Sequence, residues 1–153
     1  IFSLEQAKNF LYMLNPGMFA TKYHFLDSLI TTNYDILIID LFFDKDTQLS
    51  LEDVSSLKTK STGGNRLVIC YLSIGEAENY RYYWQPGWEF ASPVWLDKAN
   101  PNWPGNYKVR YWDSQWQAII YGNDNSYMKR IIDAGFDGVY LDIVDAFEYY
   151  SEN

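Results

Sequence analysis

The stretch Gly135-Phe136-Asp137-Gly138-Val139-Tyr140-Leu141-Asp142-Ile143-Val144-Asp145 decides the fold class. Gly135 suits the left-handed residue that ends a helix, and Asp137-Gly138 is turn chemistry. Val139 to Leu141 is a brief apolar, β-prone run of the kind found in a parallel sheet covered on both faces. Asp142 follows it directly, where α/β sheets and barrels place their ligands, beyond the carboxyl ends of the strands. A helix cap or a plain loop carboxylate would explain one such aspartate equally well. The same grammar recurs twice earlier in the chain, and that recurrence favours a shared rim.

The first recurrence is Ile36-Leu37-Ile38-Ile39-Asp40-Leu41-Phe42-Phe43-Asp44, too continuously apolar for a half-exposed strand. Asp40 sits in its far end, where a carboxylate is expensive unless hydrogen-bonded, paired or functional. The second is Arg66 to Ser73, which runs through Ile74-Gly75 into Glu76. Phe10 to Leu14 reads as an earlier strand, closed by Asn15-Pro16-Gly17, with Leu4 to Phe10 as an amphipathic lead-in. Between the strands, helical spacing covers Phe19 to Ile30, and Ser50 caps a helix running to Lys60 with Leu51, Val54 and Leu57 facing inward. Gly63-Gly64 reads as a plain turn. Gln115 to Tyr121 and Ser126 to Ala134 lead back to the opening stretch, and Ala146 to Tyr150 starts a further helix. Strand, helix, strand in this order predicts a right-handed parallel βαβ array. Asp40, Glu76 and Asp142 are then expected on one rim, with Asp145 facing the same side as Asp142 if a helical turn begins there.

Composition narrows the partners. At 153 residues the chain is expected to be one domain, 1–153, but a complete (β/α)8 barrel typically needs ~250 residues. A net charge of −8 argues against nucleic acid and anionic membranes, and suits a cationic substrate. No apolar run reaches the ~18 residues of a membrane span. The single cysteine, Cys70, lies within an apolar run, and His24 has no second histidine or cysteine cluster beside it, so neither a disulfide framework nor a metal site is expected. No cofactor is called for. The start at Ile1, without a methionine or signal-like segment, reads as a chain processed or cut from a longer one.

Aromatic residues make up 19% of the chain, and all six tryptophans fall within residues 77–116, a stretch punctuated by prolines 86, 93, 101 and 104. A connection this long is a binding loop or lid more often than filler. Most of the rings must form a satellite core that folds the insertion. Some are expected to line a groove, because sugar faces stack on ring planes. Trp84, Tyr111 and Trp112 are the favoured rings.

The residues also carry a resemblance. Cys70-Tyr71-Leu72-Ser73-Ile74-Gly75-Glu76-Ala77-Glu78-Asn79-Tyr80-Arg81, Trp103-Pro104-Gly105-Asn106-Tyr107, Tyr111-Trp112-Asp113 and Gly135 to Asp142 are similar to glycoside hydrolase family 114. That family is associated with endo-α-1,4-polygalactosaminidase activity. The resemblance implies a parallel (β/α) barrel of TIM type, about half of it present here, with the aromatic-rich insertion after the third strand. It implies a carbohydrate site at the carboxyl ends of the strands, with Asp142 a catalytic carboxylate and Glu76 and Asp40 site residues. It also implies an extracellular or cell-envelope location. The family's second catalytic carboxylate, a glutamate, is expected beyond residue 153.

Glycoside hydrolysis normally needs two carboxyls flanking the bond, ~5–5.5 Å apart for retention and ~6.5–9.5 Å for inversion. Asp142 is expected as the ionised partner, held among the hydroxyls of Tyr71 and Tyr140, and Glu76 as the acid available in this chain. If the family's glutamate is needed, Glu76 becomes a substrate-orienting residue instead. Asp40, Tyr71, Arg81, Trp84, Tyr111, Trp112, Tyr140 and Asp145 are the expected substrate contacts, on a polysaccharide or oligosaccharide. Two other readings use the same residues: a carbohydrate-binding domain without catalysis, and a half-barrel assembly module whose open edge drives self-association.

Overall fold

The apolar runs and their caps become, in chain order, β1 (Phe10–Met13), α1 (Lys22–Ile30), β2 (Ile36–Ile39), α2 (Leu51–Ser56), β3 (Leu67–Ser73), β4 (Glu76–Glu78), β5 (Leu96–Ala99), β6 (Asn106–Val109), α3 (Ser114–Ile120), α4 (Tyr127–Asp133), β7 (Gly138–Asp142) and α5 (Ala146–Ser151). This is the order in a computed structural model, which describes residues 1–152. The chain divides into two compact units, Ile1–Leu72 with Arg130–Tyr140, and Ser73–Lys129 with the chain from Leu141 on.

The first unit is built on a four-stranded sheet in the order β1-β2-β3-β7. β1 pairs parallel to β2, Phe10 opposite Ile36, and β2 parallel to β3, Ile36 opposite Leu67. In this register Leu37, Ile39, Val68 and Cys70 fall on one face, and all four are 0% exposed. The inward stripes of the helices, Phe25, Leu26 and Leu29 on α1 and Val54 with Leu57, belong to the same core. At ~1.5–3 kcal/mol per fully buried large side chain, this layer is the main source of the unit's stability.

The other face carries Phe10, Tyr12, Ile38, Ile69 and Tyr140, and here Phe10, Tyr12 and Tyr140 are exposed. Tyr12 and Tyr140 lie on the two outermost strands, yet their rings meet edge-on at 5.6 Å. Strands ~4.8 Å apart would put β1 and β7 roughly 14 Å apart in a flat sheet. The ring contact therefore requires the sheet to curl about this face, as barrel strands do.

Local chemistry explains the connections. The Thr21 and Ser50 hydroxyls accept from the N–H of His24 and Asp53, and Asp53 returns a bond to the Ser50 N–H, closing a capping box. The Lys22 ammonium then reaches the Asp53 carboxylate at 2.7 Å. Gly135 has φ +82°, and a Cβ there would stand 2.5 Å from Leu51 Cδ1. Arg66, buried before β3, donates to Thr32 Oγ1 at 2.8 Å and to the Thr59 carbonyl at 2.9 Å, tying two connecting loops together.

Three expectations change. β7 was expected to be buried on both faces, but none of its residues is, because it is the last strand of the sheet. Leu51 was expected inward and is exposed, sitting at the first turn of α2 beside Gly135. Asp137 was read as turn chemistry and instead clamps register. Its N–H donates to the Val68 carbonyl, its carboxylate accepts from the Val68 N–H at 2.8 Å, and Lys58 pairs with it at 2.6 Å.

The second unit holds a three-stranded antiparallel sheet in the order β4-β6-β5, with Glu76 opposite Lys108 and Ala77 opposite Tyr107. Its core is aromatic. Trp84, Trp88, Trp95 and Trp116 form a continuous chain of ring contacts at 5.0 to 5.3 Å, and the Trp116 indole N–H donates to the Ile74 carbonyl. Most tryptophans of the 77–116 stretch are thus the satellite core that folds it.

Candidate active site

Asp142 closes β7, two residues after Tyr140 and so on the same side of that strand. Its backbone carbonyl accepts from the Ile74 N–H at 3.1 Å, which fixes the end of β7 beside the end of β3. Its carboxylate Oδ1 accepts from the Ile143 N–H at 2.9 Å. Ile143 has φ +58°, a left-handed conformation that is a genuine outlier for a β-branched residue. Strain of this kind costs on the order of 1–3 kcal/mol and clusters at functional sites.

Gly75 is what lets the strained loop close. A Cβ on Gly75 would lie 2.7 Å from both Ile143 Cγ2 and Ala146 Cβ, and closer still to the Ile143 carbonyl oxygen. Ile74, Gly75, Tyr111, Ile143, Val144, Ala146 and Phe147 enclose an apolar depression of about 220 Å³ immediately after Asp142 in the chain. Tyr111 and Trp112 are both exposed, with rings edge-on at 5.0 Å, and Trp112 packs against Tyr150 at 4.7 Å. Burial, with the neighbouring Asp97 carboxylate, pushes the Tyr150 phenol upward and keeps it neutral. An apolar recess with Tyr111 and Phe147 in its wall can take the C–H face of a sugar.

The other expected residues fall as follows. Glu76 is 0% exposed, and its carboxylate accepts from Lys108 Nζ at 2.6 Å, Asn100 Nδ2 at 2.8 Å and Asn106 Nδ2 at 3.2 Å. Arg81 is buried and binds Glu78 through Nε and Nη2, with its guanidinium over the Tyr80 ring. Trp84 is half-buried against Trp88 and Tyr107. Asp145 is exposed at the cap position of α5 without capping it. In the first unit, Asp40 stands one residue past β2 and accepts from the Phe42 N–H at 2.8 Å, turning the chain off the strand. Tyr71 is buried on β3, and Tyr140 is exposed on β7. Asp142, Tyr111 and Trp112 thus belong to the same unit as the apolar recess, with Tyr111 in its wall.

Sequence reasoning passed over Ile143, Phe147, Tyr149 and Lys108. The Ile143 backbone leaves no trace in residue type. Lys108 becomes visible only once the antiparallel register sets it opposite Glu76. Among the described residues no group of three or more histidines, cysteines and carboxylates could hold a metal ion. Among them, too, no helix is long and apolar enough to cross a membrane.

Parallel strands separated by helices, with a carboxylate at the end of β7, define an α/β fold of the barrel type. The chain belongs to glycoside-hydrolase family GH114, whose model matches residues 5–153. It is 42% identical over 130 residues to an uncharacterized protein of Methanocaldococcus jannaschii, covering 84% of this chain and 35% of that one. It is 40% identical over 123 residues to an uncharacterized protein of Deinococcus radiodurans, covering 80% and 37%. The chain thus spans little more than a third of the length of these relatives. Among solved structures it is similar to Ega3 of Aspergillus fumigatus in complex with galactosamine, at 26% identity and a TM-score of 0.56 over 92% of this chain and 44% of that one. The glycoside hydrolase domain of PelA from Pseudomonas aeruginosa shares the fold, at 20% identity and a TM-score of 0.55 over 92% and 45%.

Proposed function

We propose that this chain carries part of the active site of a glycosidase acting on an α-linked amino-sugar polymer of the α-1,4-polygalactosamine type. The observation that carries the reading is Asp142, held at the end of β7 on a strained loop beside exposed rings. Asp142 acts as the ionised carboxylate at the scissile bond, and Tyr111 and Trp112 take the sugar faces. Asp145 is kept as a substrate contact by its place just after β7. The net charge of −8 suits a polymer bearing ammonium groups. The galactosamine complex of Ega3 supports the same substrate class. An extracellular or cell-envelope location follows for an enzyme whose substrate is an external polysaccharide.

Three donors, one an ammonium, occupy the Glu76 carboxylate, so the role of proton donor is not assigned to it. The second catalytic carboxyl then comes from more of the same protein, and this stretch alone binds without cleaving. The half-bare sheet face of the first unit is proposed to be covered by further strands of a longer chain or by a second copy. Sedimentation that shows this chain as a monomer with a cooperative melt would count against that covering.

The test is digestion of α-linked galactosamine and galactose polymers by the intact gene product and by residues 1–153 alone. The intact protein is expected to cleave the galactosamine polymer, and Asp142→Asn to abolish cleavage while oligosaccharide binding persists. Full activity in Asp142→Asn would refute the assignment. Binding without hydrolysis by the intact wild-type protein would favour a carbohydrate-binding role.

A further inference from the structure

The Glu76 carboxylate lies outside the chemistry just assigned, yet it is among the most completely buried and bonded side chains of the molecule. A buried carboxylate is retained at a cost, and an apolar side chain of similar size would often serve stability as well. What an apolar side chain could not do is hold an ammonium. Lys108 Nζ, fixed by Glu76 at 2.6 Å, stands over the ring of Tyr149, 5.6 Å from its centre. Tyr149 lies on α5, where its ring meets Tyr150 at 4.7 Å, and Tyr150 meets Trp112 at 4.7 Å. The first residue of α5, Ala146, is pressed with Ile143 against Gly75. The loop from Asp142 to Ala146 is therefore held at its start by the backbone bond to Ile74, in its middle by Gly75, and through α5 by the Lys108–Tyr149 contact.

We propose that Glu76 is a positioning residue, which acts through Lys108 and Tyr149 to fix α5 and so the strained loop that aims the Asp142 carboxylate. The proposal rests on the reading of Asp142 as the reacting carboxylate. A strained left-handed isoleucine relaxes unless its surroundings over-determine it, and the α5 anchor adds a constraint to those from Ile74 and Gly75. A loss of aim near 1 Å is enough to lower turnover by on the order of a hundredfold without weakening substrate binding.

The experiment uses the intact gene product and the variants Lys108→Met, Tyr149→Leu, Tyr149→Phe and Glu76→Gln, with two readouts. Lys108→Met and Tyr149→Leu are expected to lower kcat on the order of ten- to a hundredfold with KM within about threefold, the mark of an interaction that matters in the transition state. The double variant should be little worse than either single one, and Tyr149→Phe, which keeps the ring, should lose less than Tyr149→Leu. Amide hydrogen exchange across residues 143–149 should accelerate in both single variants. Faster exchange with unchanged kcat would show a merely structural strut and overturn the proposal, as would unchanged exchange. Glu76→Gln should lower kcat while keeping the shape of the pH–rate profile; loss of the descending alkaline limb would mark Glu76 as the proton donor and also overturn it. If the wild type does not hydrolyse, or Asp142→Asn still does, the functional reading fails, and the exchange data still decide whether the strut exists. Should Lys108→Met fail to fold, Tyr149→Leu on the half-buried face of α5 gives the same readouts.

Discussion

Gly75→Ala is the most direct probe of the loop that carries Asp142. The added Cβ would lie 2.7 Å from two carbon atoms, Ile143 Cγ2 and Ala146 Cβ, where van der Waals contact between carbons needs ~3.5–4.0 Å. The nearest obstacle is the Ile143 carbonyl oxygen, which is backbone and cannot swing away as a flexible side chain could. Relief therefore requires the segment 143–146 to retreat by ~1 Å. Overpacking of this kind typically costs ~1–3 kcal/mol, which for a chain of 153 residues lowers Tm by roughly 2–12 °C. The same ~1 Å displaces the loop next to Asp142, and a misplacement of that size can lower kcat on the order of a hundredfold. Thermal unfolding followed by circular dichroism, beside turnover of a galactosamine polymer by the intact protein, measures both. Gly17→Ala is the control, because nothing lies within 4 Å of a Cβ at Gly17. Wild-type Tm and wild-type kcat in Gly75→Ala would refute the close packing inferred for this loop and the link from it to Asp142.

Ser50→Ala removes one half of the capping box on α2 and should cost ~1 kcal/mol, read as a Tm lower by roughly 2–4 °C; no change would mean that Lys22 and Asp53 hold the helix start alone. Trp112→Ala should weaken oligosaccharide binding by roughly two- to tenfold in a calorimetric titration, the worth of one lost ring contact, and unchanged affinity would remove Trp112 from the groove. Stability should fall in acid. The Lys60 ammonium and the Lys8 N–H hold the Asp35 carboxyl below its usual range, and at Asp53 the bonds from Lys22 and Ser50 outweigh the opposing effect of burial. Both contributions are present above the unfolded value near ~4 and are lost as pH falls through the lower folded values. Lys22 moves the other way, raised by the Asp53 hydrogen bond, so its contribution holds below the ordinary value of 10.5 and fades as pH rises above it. A Tm that is flat down to pH 2, or an acid limb unchanged in Asp35→Asn, would contradict this assignment.

The parallel strands were legible as short apolar runs, and β2 and β3 each follow a helix with a capped start. Ser50 with Asp53 and the stop at Gly135 are local signals, and the structure uses them as such. The exposure of β7 was not legible, since Val139 to Leu141 reads the same in a central strand and in a terminal one. The split among the aromatic residues was equally hidden. Trp95 and Trp116 are buried while Trp103 and Trp112 are exposed, and nothing in their immediate neighbours distinguishes the two pairs. Trp95 precedes β5 and Trp116 lies on α3, yet their rings meet at 5.0 Å, a contact between distant segments that composition does not report.

The carboxylates show most clearly where local reading stops. Asp35 and Asp137 precede β2 and β7, and both are bound by lysines, Lys60 at 2.9 Å and Lys58 at 2.6 Å, while accepting from backbone N–H groups of another segment. Asp40 follows β2 and Asp142 closes β7, and each accepts an N–H from the loop just after it. One residue type thus does two jobs according to which end of the strand it occupies: before the strand it fastens segments together, and after it, it shapes a turn. In a parallel array all the strand ends of one kind lie on one side, so strand direction alone assigns these roles. Glu76 escapes the rule because it does not end a strand of that array at all. It opens β4, in a second sheet, and its partner Lys108 comes from β6 by antiparallel pairing. A carboxylate three residues beyond a parallel strand can therefore be taken up by the next sheet, and the glycine before it does not reveal which outcome the chain takes.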